Sequence, residues 1–514
     1  MKKRLFHKLE PSPRKVRARS LSSGLVCLSA GAASAFAFAP YEISVVPFIT
    51  LAVLFRTWRT NTGKQAFING YLFGLGLFGV GVSWLHISIN LFSGINLAGA
   101  WLVTLLLIAY LSLFPALTGL LANCRSLRSD YTFFLVMIPS LWTLGEWIRS
   151  WLFTGFPWLS LGYTQTSGML SGYGSLLGVF GISFILAFLA GSLVLVFGKN
   201  RSMTLAATLL LILLAGWQLR QYQWTGNSEA EISVALVQGA IPQELKWLPE
   251  YKNTSLERYP ELTEPFWGHD LIIWPETAIP GLLNEVRDYI GQLDRTASQH
   301  GSVVLAGLPT RHPDSGAYFN SLVLLGGKQQ VYSKRHLVPF GEYLPLKWLL
   351  QWPLDVLNIP IADFTPAPAH EPLLFHTGGY SMGLSICYEA IFGAEIIRAL
   401  PQAGVLVNVS NDAWFGDSAS PHQHLQMARM RAIETGRYLL RATNTGISAI
   451  IDRKGNIVGK TGQFEPDAVA ATVPLFKGST PYVIAGDKPI VTLSLVLLLL
   501  MLLFGTPARD KSQI

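Results

Sequence analysis

The chain has 514 residues, 50% of them hydrophobic and 14% charged, and its mean hydropathy is +0.36. These values exclude an ordinary soluble protein and place much of the chain in lipid. The formal net charge of +8 admits nucleic acid or an anionic membrane as partner, so the position of the basic residues decides between them. Eight lie between Lys2 and Arg19, directly before an apolar run. That arrangement holds an N-terminus in the cytoplasm, so the charge reads as a topology signal and no nucleic-acid partner is expected.

The first apolar stretch, 22–39, is followed by others within a few dozen residues and reads as a retained helix, not a cleaved signal. A bilayer core of about 30 Å needs about 20 apolar residues per helix. Runs of that kind predict eight spans, near 22–39, 41–55, 67–90, 96–122, 131–152, 173–197, 203–219 and 489–505. Loop charges alternate as short cytoplasmic loops require: Arg56, Arg59 and Lys64 follow the second span, Arg125 and Arg128 the fourth, Lys199 and Arg201 the sixth, Arg509 and Lys511 the eighth. With the N-terminus inside, both termini are cytoplasmic and 220–488 is external, which is the periplasm of a bacterium with two membranes. The expected division is therefore a helical bundle over 1–219, an external domain over 220–488, and a last span with its tail over 489–514. The basic N-terminus and the residues after Pro507 read as disordered. Glu146 and Arg149, one turn apart near the external end of the fifth span, are expected to pair, to reach for the interface, or to brace the domain above them.

The external segment reads as α/β. Short β-rich runs at 232–237, 271–274, 303–306 and 405–409 alternate with helical stretches such as 285–299. Four runs end in polar residues: LIIWPETAIP (271–280), VYSKRHLVPFGEYLP (331–345), LSICYEAIF (384–392) and VNVSNDAWFG (407–416). Strand ends are where an α/β sheet gathers ligands and catalytic groups, which singles out Glu276, Lys334 and Cys387. More than fifty residues separate each from the next, and taken alone each has a plain structural reading: buried filler for the cysteine, solvated surface for the other two. Cys27 and Cys124 lie in or near apolar spans, and three cysteines set no disulfide framework. His336, His422 and His424 raise a Cys–His protease or a metal site, but HQH at 422–424 is too short to be a ligand set without partners, so no metal and no cofactor is expected.

Region 230–475 resembles the nitrilase superfamily, and the whole chain resembles the apolipoprotein N-acyltransferase family. The motifs are WPE at 274–276, the Lys334 segment running into PFGEY at 339–343, CYE at 387–389, NVSNDAWF at 408–415 and RAIETGRYLLRATNTG at 431–446. FPWLSLGY at 156–163 and VQGAIPQELKW at 237–247 extend the likeness toward the membrane part. The resemblance implies a multi-pass α-helical bundle of about eight spans carrying an αββα sandwich. It also implies roles: Cys387 as nucleophile, Glu276 as general base, and Lys334 as the cation that holds the oxyanion, with the Tyr388 backbone N–H as second donor. The chemistry stands beside the likeness, because a thiol of pKa about 8.5 is mostly protonated at neutral pH and needs a base or a cationic neighbour. Glu342 is expected to support catalysis, and Glu389 to orient Lys334 or cap the turn after Cys387.

Trp348 and Trp352 in the run 344–359 suggest an arm dipping into the interface, or else a core helix; Trp247, Trp414 and the loop 151–163 would belong to the same apolar approach. The implied reaction moves a fatty acyl chain from a membrane phospholipid, through a Cys387 thioester, to the α-amine of an N-terminal diacylglyceryl-cysteine on an apolipoprotein. The enzyme is expected to be a monomer of the bacterial inner membrane. The rivals are a membrane-bound amidase or hydrolase of the nitrilase type, since that trio is common to the superfamily, and a transporter whose external domain only binds substrate.

Overall fold

The computed structural model describes residues 13–124, 129–198, 202–345, 347–348, 363–368, 371 and 373–504. Residues 1–12 of the basic N-terminus, the end after Pro507, the basic loop residues beyond Lys64, and most of the 344–359 arm with Trp352 lie outside the described residues; the rest of the basic stretch, Arg14 to Arg19, is helical, against the expectation of disorder.

All eight apolar segments are helical: α1 (Pro13–Ser34), α2 (Val46–Thr60), α3 (Gly63–Gly81) with α4 (Leu85–Phe92), α5 (Leu97–Asn123), α6 (Ile138–Arg149), α7 (Gly174–Val196), α8 (Met203–Gln221) and, at the other end of the chain, α12 (Lys488–Phe504). Fewer could cross a bilayer unaided. Among the described residues, Leu97–Asn123, Met169–Val196 and Met203–Gln221 are long and apolar enough, and α3 with α4 makes a fourth if that bent pair is one span. The bundle packs through small residues. A Cβ on Gly31 or Gly76 would strike the facing backbone of α3 or α1, and one on Gly70 or Gly74 the backbone of α5, so α3 is pressed between its neighbours.

Three helices depart from the expected spans, each for a visible reason. Residues 40–45 turn before α2 begins, which moves its start to Val46. The expected single helix over 67–90 breaks at 82–84 and bends by 56°, where the Trp84 indole donates to the Gly81 carbonyl. In α7, Gly178 has φ +68 with the Tyr482 ring against it; that backbone suits glycine, and a Cβ would meet the ring at 2.2 Å.

The domain beyond α8 is a four-layer sandwich. One sheet runs β12-β1-β2-β3-β4-β5, and the other β11-β10-β9-β8-β7-β6. The first is made of β1 (Gly226–Gln238), β2 (Leu271–Ile273), β3 (Val303–Arg311), β4 (Tyr318–Leu325), β5 (Gln330–Ser333) and β12 (Asp467–Lys477). The second comprises β6 (Leu374–Thr377), β7 (Tyr380–Ile386), β8 (Val405–Ser410), β9 (Leu439–Thr443), β10 (Ala449–Ile451) and β11 (Ile457–Lys460). β1–β2–β3 and β7–β8–β9 are parallel, and the flanking strands antiparallel. Alternation along β1 builds two layers at once: Val234 and Leu236 meet Val407 and Leu440 of the other sheet, while Ala235 and Val237 face α9 (Pro249–Thr263) and α10 (Arg287–Gln299).

The fourth layer is α11 (Ala419–Thr435), which ends on Gly436 in the left-handed region. Leu425, Ala428 and Ala432 cover the second sheet, whereas Met427, Met430 and Ile433 join the apolar core of the membrane bundle with Tyr163, Ile182 and Leu186. The helix is buried on both sides, and Gln423, His424, Arg431 and Glu434 on it find hydrogen-bond partners. The active-site sheet is therefore fastened to the bundle through α11.

Candidate active site

Glu276 follows β2 and is held from below by Gly307 of β3, where any Cβ would come within 2.5 Å of the Pro275 carbonyl oxygen. Lys334 follows β5, Glu342 lies in the turn at 339–343, and Cys387 ends β7. The fold brings the four together. Lys334 Nζ sits 2.8 Å from Glu342 Oε2 and 3.7 Å from Glu276 Oε1, with all three side chains largely buried. Asn320 Nδ2 donates to both carboxylates, at 2.7 Å to Glu276 Oε1 and 3.0 Å to Glu342 Oε1. Glu342 also accepts from the Val338 amide at 2.8 Å.

Burial works to lower the Lys334 pKa, but Glu342 and Glu276 more than reverse it, so the side chain is an ammonium. Burial raises the Glu276 carboxyl against the pull of Lys334. Cys387 keeps partial exposure, yet the protein around its thiol and the neighbouring Glu276 charge push it up to about 12, with Lys334 opposing. At rest the sulfur is a neutral thiol, within hydrogen-bond reach of Ser410. Its backbone is unusual, with φ +51 in the left-handed region that a side chain rarely adopts.

Glu389 bonds the main chain on two sides. Oε2 accepts from the Ile386 amide at 2.7 Å and from the Tyr332 hydroxyl at 2.8 Å, capping the turn, while Oε1 accepts from the Arg335 and His336 amides at 2.7 and 3.2 Å. These bonds tie the main chain after Lys334 to the turn after Cys387. The Tyr388 hydroxyl donates to the Gly155 carbonyl at 2.8 Å, docking the turn after Cys387 on the loop after α6. Trp414 packs edge-on against Phe92 of α4 at 4.7 Å; Trp247 is exposed, and so is Trp348.

Glu146 and Arg149 form no ion pair and do not reach for the interface; both are buried. Glu146 Oε1 accepts from Trp142 Nε1 at 2.9 Å and the Leu161 amide at 2.8 Å, while Arg149 donates to the Phe156 carbonyl at 2.7 Å and the Ser160 hydroxyl at 3.1 Å. Their shared task is to fix the loop 156–161, which contacts α11 from below. The expectation of bracing describes them; pairing does not, because the loop supplies Arg149 with two carbonyls and Glu146 with an amide.

Sequence reasoning passed over Asn320, in mid-strand and in no motif, and Lys246, read only as part of a motif. Lys246 is fully buried with Nζ 3.4 Å from the Glu276 carbonyl oxygen, and burial pulls it down to about 8 although Glu276 opposes. A lysine set against Glu276 from 30 residues away in sequence leaves no periodic signal. His424 was weighed only as a metal or protease residue. Its ring faces the Cys387 carbonyl, not the sulfur, with Nε2 at 3.1 Å.

Cys387, Glu276, Lys334 and Glu342 gather beside the strand ends of an αββα sandwich, and the carbon–nitrogen hydrolase profile matches residues 233–477. A second profile, the apolipoprotein N-acyltransferase N-terminal domain, matches 30–192. Apolipoprotein N-acyltransferases of Methylococcus capsulatus and Nitrosomonas europaea are 45% and 40% identical, the alignments covering 91% and 95% of this chain and 94% and 98% of theirs. Among solved structures, a CN-hydrolase superfamily protein from Xanthomonas campestris aligns over 55% of this chain and all of its own, at 20% identity and a TM-score of 0.35. The chain belongs to the apolipoprotein N-acyltransferase family, and it is a membrane-bound acyltransferase.

Proposed function

We propose that Cys387 carries the acyl chain between a membrane phospholipid and the α-amine of an N-terminal diacylglyceryl-cysteine on a lipoprotein. The observation that supports this most is the Glu276–Lys334–Glu342 cluster beside a neutral thiol, on a domain packed against apolar helices. Two carboxylates and one ammonium carry a net charge of −1, and an added thiolate would make it −2 in a buried place, which is why the thiol stays protonated. Transferring its proton to Glu276 leaves the total unchanged as the sulfur attacks the ester carbonyl. The charge then passes to the tetrahedral oxyanion, facing Lys334 and the Tyr388 N–H. Collapse breaks the ester C–O bond; Glu276 returns its proton to the departing alkoxide, and the thioester remains on Cys387. In the second half the amine attacks, Glu276 takes the amine proton, and the thiolate leaves and recovers it.

Eight spans, cytoplasmic termini, and a domain over 220–488 in the periplasm of an inner membrane complete this reading, supported by the alternating loop charges and the eight helical segments. No cofactor enters the scheme. The test is product analysis with acyl-labelled phospholipid and a diacylglyceryl-cysteinyl peptide: label should appear in an amide on the peptide. Label in free fatty acid, with or without peptide, would instead establish the hydrolase alternative.

A further inference from the structure

Behind the reacting groups lies a second polar set that acyl transfer does not itself employ. His424, at the start of α11, is buried, with Nε2 3.1 Å from the Cys387 carbonyl oxygen; Asn408 Nδ2 approaches that oxygen at 3.5 Å. On the far side of the ring, Nδ1 is 3.0 Å from both Asp412 Oδ1 and Arg441 Nη2. Arg441 also donates to Asp412 Oδ2 at 2.8 Å and to Asn408 Oδ1. Burial and Arg441 hold the imidazole below its usual value, so the ring is neutral. A carbonyl partner puts the proton on Nε2, leaving Nδ1 to accept from Arg441. His424 thus cannot take the thiol proton; its donor is spent on the main chain.

That main chain is the strained one. A left-handed Cys387 persists only where its surroundings over-determine it, and here two buried side chains, Asn408 of β8 and His424 of α11, reach its carbonyl, while Arg441 of β9 and Asp412 hold those two in turn. The imidazole is placed in turn from the membrane side. Gln423 Oε1 accepts from Trp158 Nε1 at 2.6 Å and Trp84 Nε1 at 3.2 Å, and its Nε2 donates to the Gly81 carbonyl at 3.1 Å. The residue beside His424 is therefore pinned to the α3–α4 break and to the loop 156–161, and the Trp158 ring lies 5.8 Å from the imidazole.

We propose that His424 is a positioning residue of the acyl transfer: its Nε2–H fixes the Cys387 carbonyl, and with it the left-handed backbone that aims the thiol at Glu276 and Lys334. This rests on Cys387 being the acylated atom, and the test separates the two claims. Full-length enzyme in detergent is loaded from phospholipid without acceptor, and thioester formation at Cys387 is timed over a range of donor concentrations. His424→Leu fills the space without a donor, and His424→Gln restores an N–H of similar reach. The Leu variant should load about 10–100-fold more slowly, as expected for a displaced nucleophile, with half-saturation changed by less than about threefold, and the Gln variant should return to within about fivefold of wild type. Loading by the Leu variant at the wild-type rate, a loss confined to half-saturation, or a Gln variant as slow as Leu would overturn the proposal. Thermal melts verify folding, and if the Leu variant does not fold, His424→Asn, whose amide is too short for the carbonyl, is read by the same criteria. Wild type that never forms the thioester would refute the nucleophile assignment itself and leave nothing for His424 to position.

Discussion

Two charged clusters flank the Cys387 turn and are built as opposites. In front, one ammonium lies between two carboxylates, Glu276 and Glu342; behind, one carboxylate, Asp412, lies between the Arg441 guanidinium and a histidine. Burial leaves Glu276 above its usual range, while the Arg441 guanidinium overcomes burial and holds Asp412 well below it. A carboxylate held high is ready to accept a proton, and one held low stays charged throughout. The difference teaches that one cluster is made to change protonation state and the other to remain fixed, so substitutions in them should fail in different ways.

The largest effect should follow Glu276→Gln. Without its base, thioester loading should fall by about 10²–10⁴, read by single-turnover labelling. Stability should not fall with it: a carboxyl whose folded pKa is raised contributes stability only below its unfolded value of about 4.3, and loses it as pH rises through the folded value. At neutral pH the thermal midpoint should be unchanged or higher, and a clear drop would show that the front cluster is a structural pair after all. Lys334→Met removes the oxyanion's cation and should slow loading by about 10²–10³. Retained loading in that variant would shift the task of charge stabilisation to the backbone alone.

For the rear cluster the order is reversed. Arg441→Met leaves Asp412 buried without its main partner and should cost about 3–5 kcal/mol of stability at neutral pH. Asp412 has a depressed pKa, so its contribution is present above the unfolded value of about 3.9 and is lost as pH falls through the folded value. The deficit of the variant should therefore shrink in melts taken at progressively lower pH. A deficit that grows in acid would mean that Arg441 acts through packing and not through charge. The smallest effect is expected at Lys246, whose ammonium favours ionised Glu276. Lys246→Met should raise the Glu276 pKa and move the acid limb of the kcat/KM profile to higher pH; movement the other way would contradict a direct electrostatic role.

Motif reading and periodicity reach different parts of this architecture. The eight apolar segments and the strands at 232–237, 303–306 and 405–409 could be read from hydrophobic pattern because each is a local property of the chain. The breaks at 82–84 and Gly178 could not, since partners from the other domain fix them: Gln423 holds the Gly81 carbonyl, and Glu434 Oε1 accepts from the Val179 amide at 2.9 Å. At the site, Glu276, Lys334 and Cys387 stood out as polar residues ending β-rich runs, and Glu342 as a carboxylate beside one of the motifs. Asn320 and Lys246 did not, being an ordinary strand residue and a loop lysine until the fold sets them against Glu276. Glu146 and Arg149, at helical spacing, suggested each other as partners, and only the path of 156–161 shows that the loop takes both charges.

The central claim is that the front cluster serves a sulfur that holds the acyl chain. It is tested most directly by incubating the enzyme with phospholipid and no acceptor, then locating the added mass by peptide mapping before and after hydroxylamine. One acyl chain in a hydroxylamine-sensitive thioester at Cys387, stable until an amine is supplied and absent from Cys387→Ala, is the predicted result. N-acylated peptide formed by the Cys387→Ala variant, or an acyl chain carried on any other residue, would contradict it.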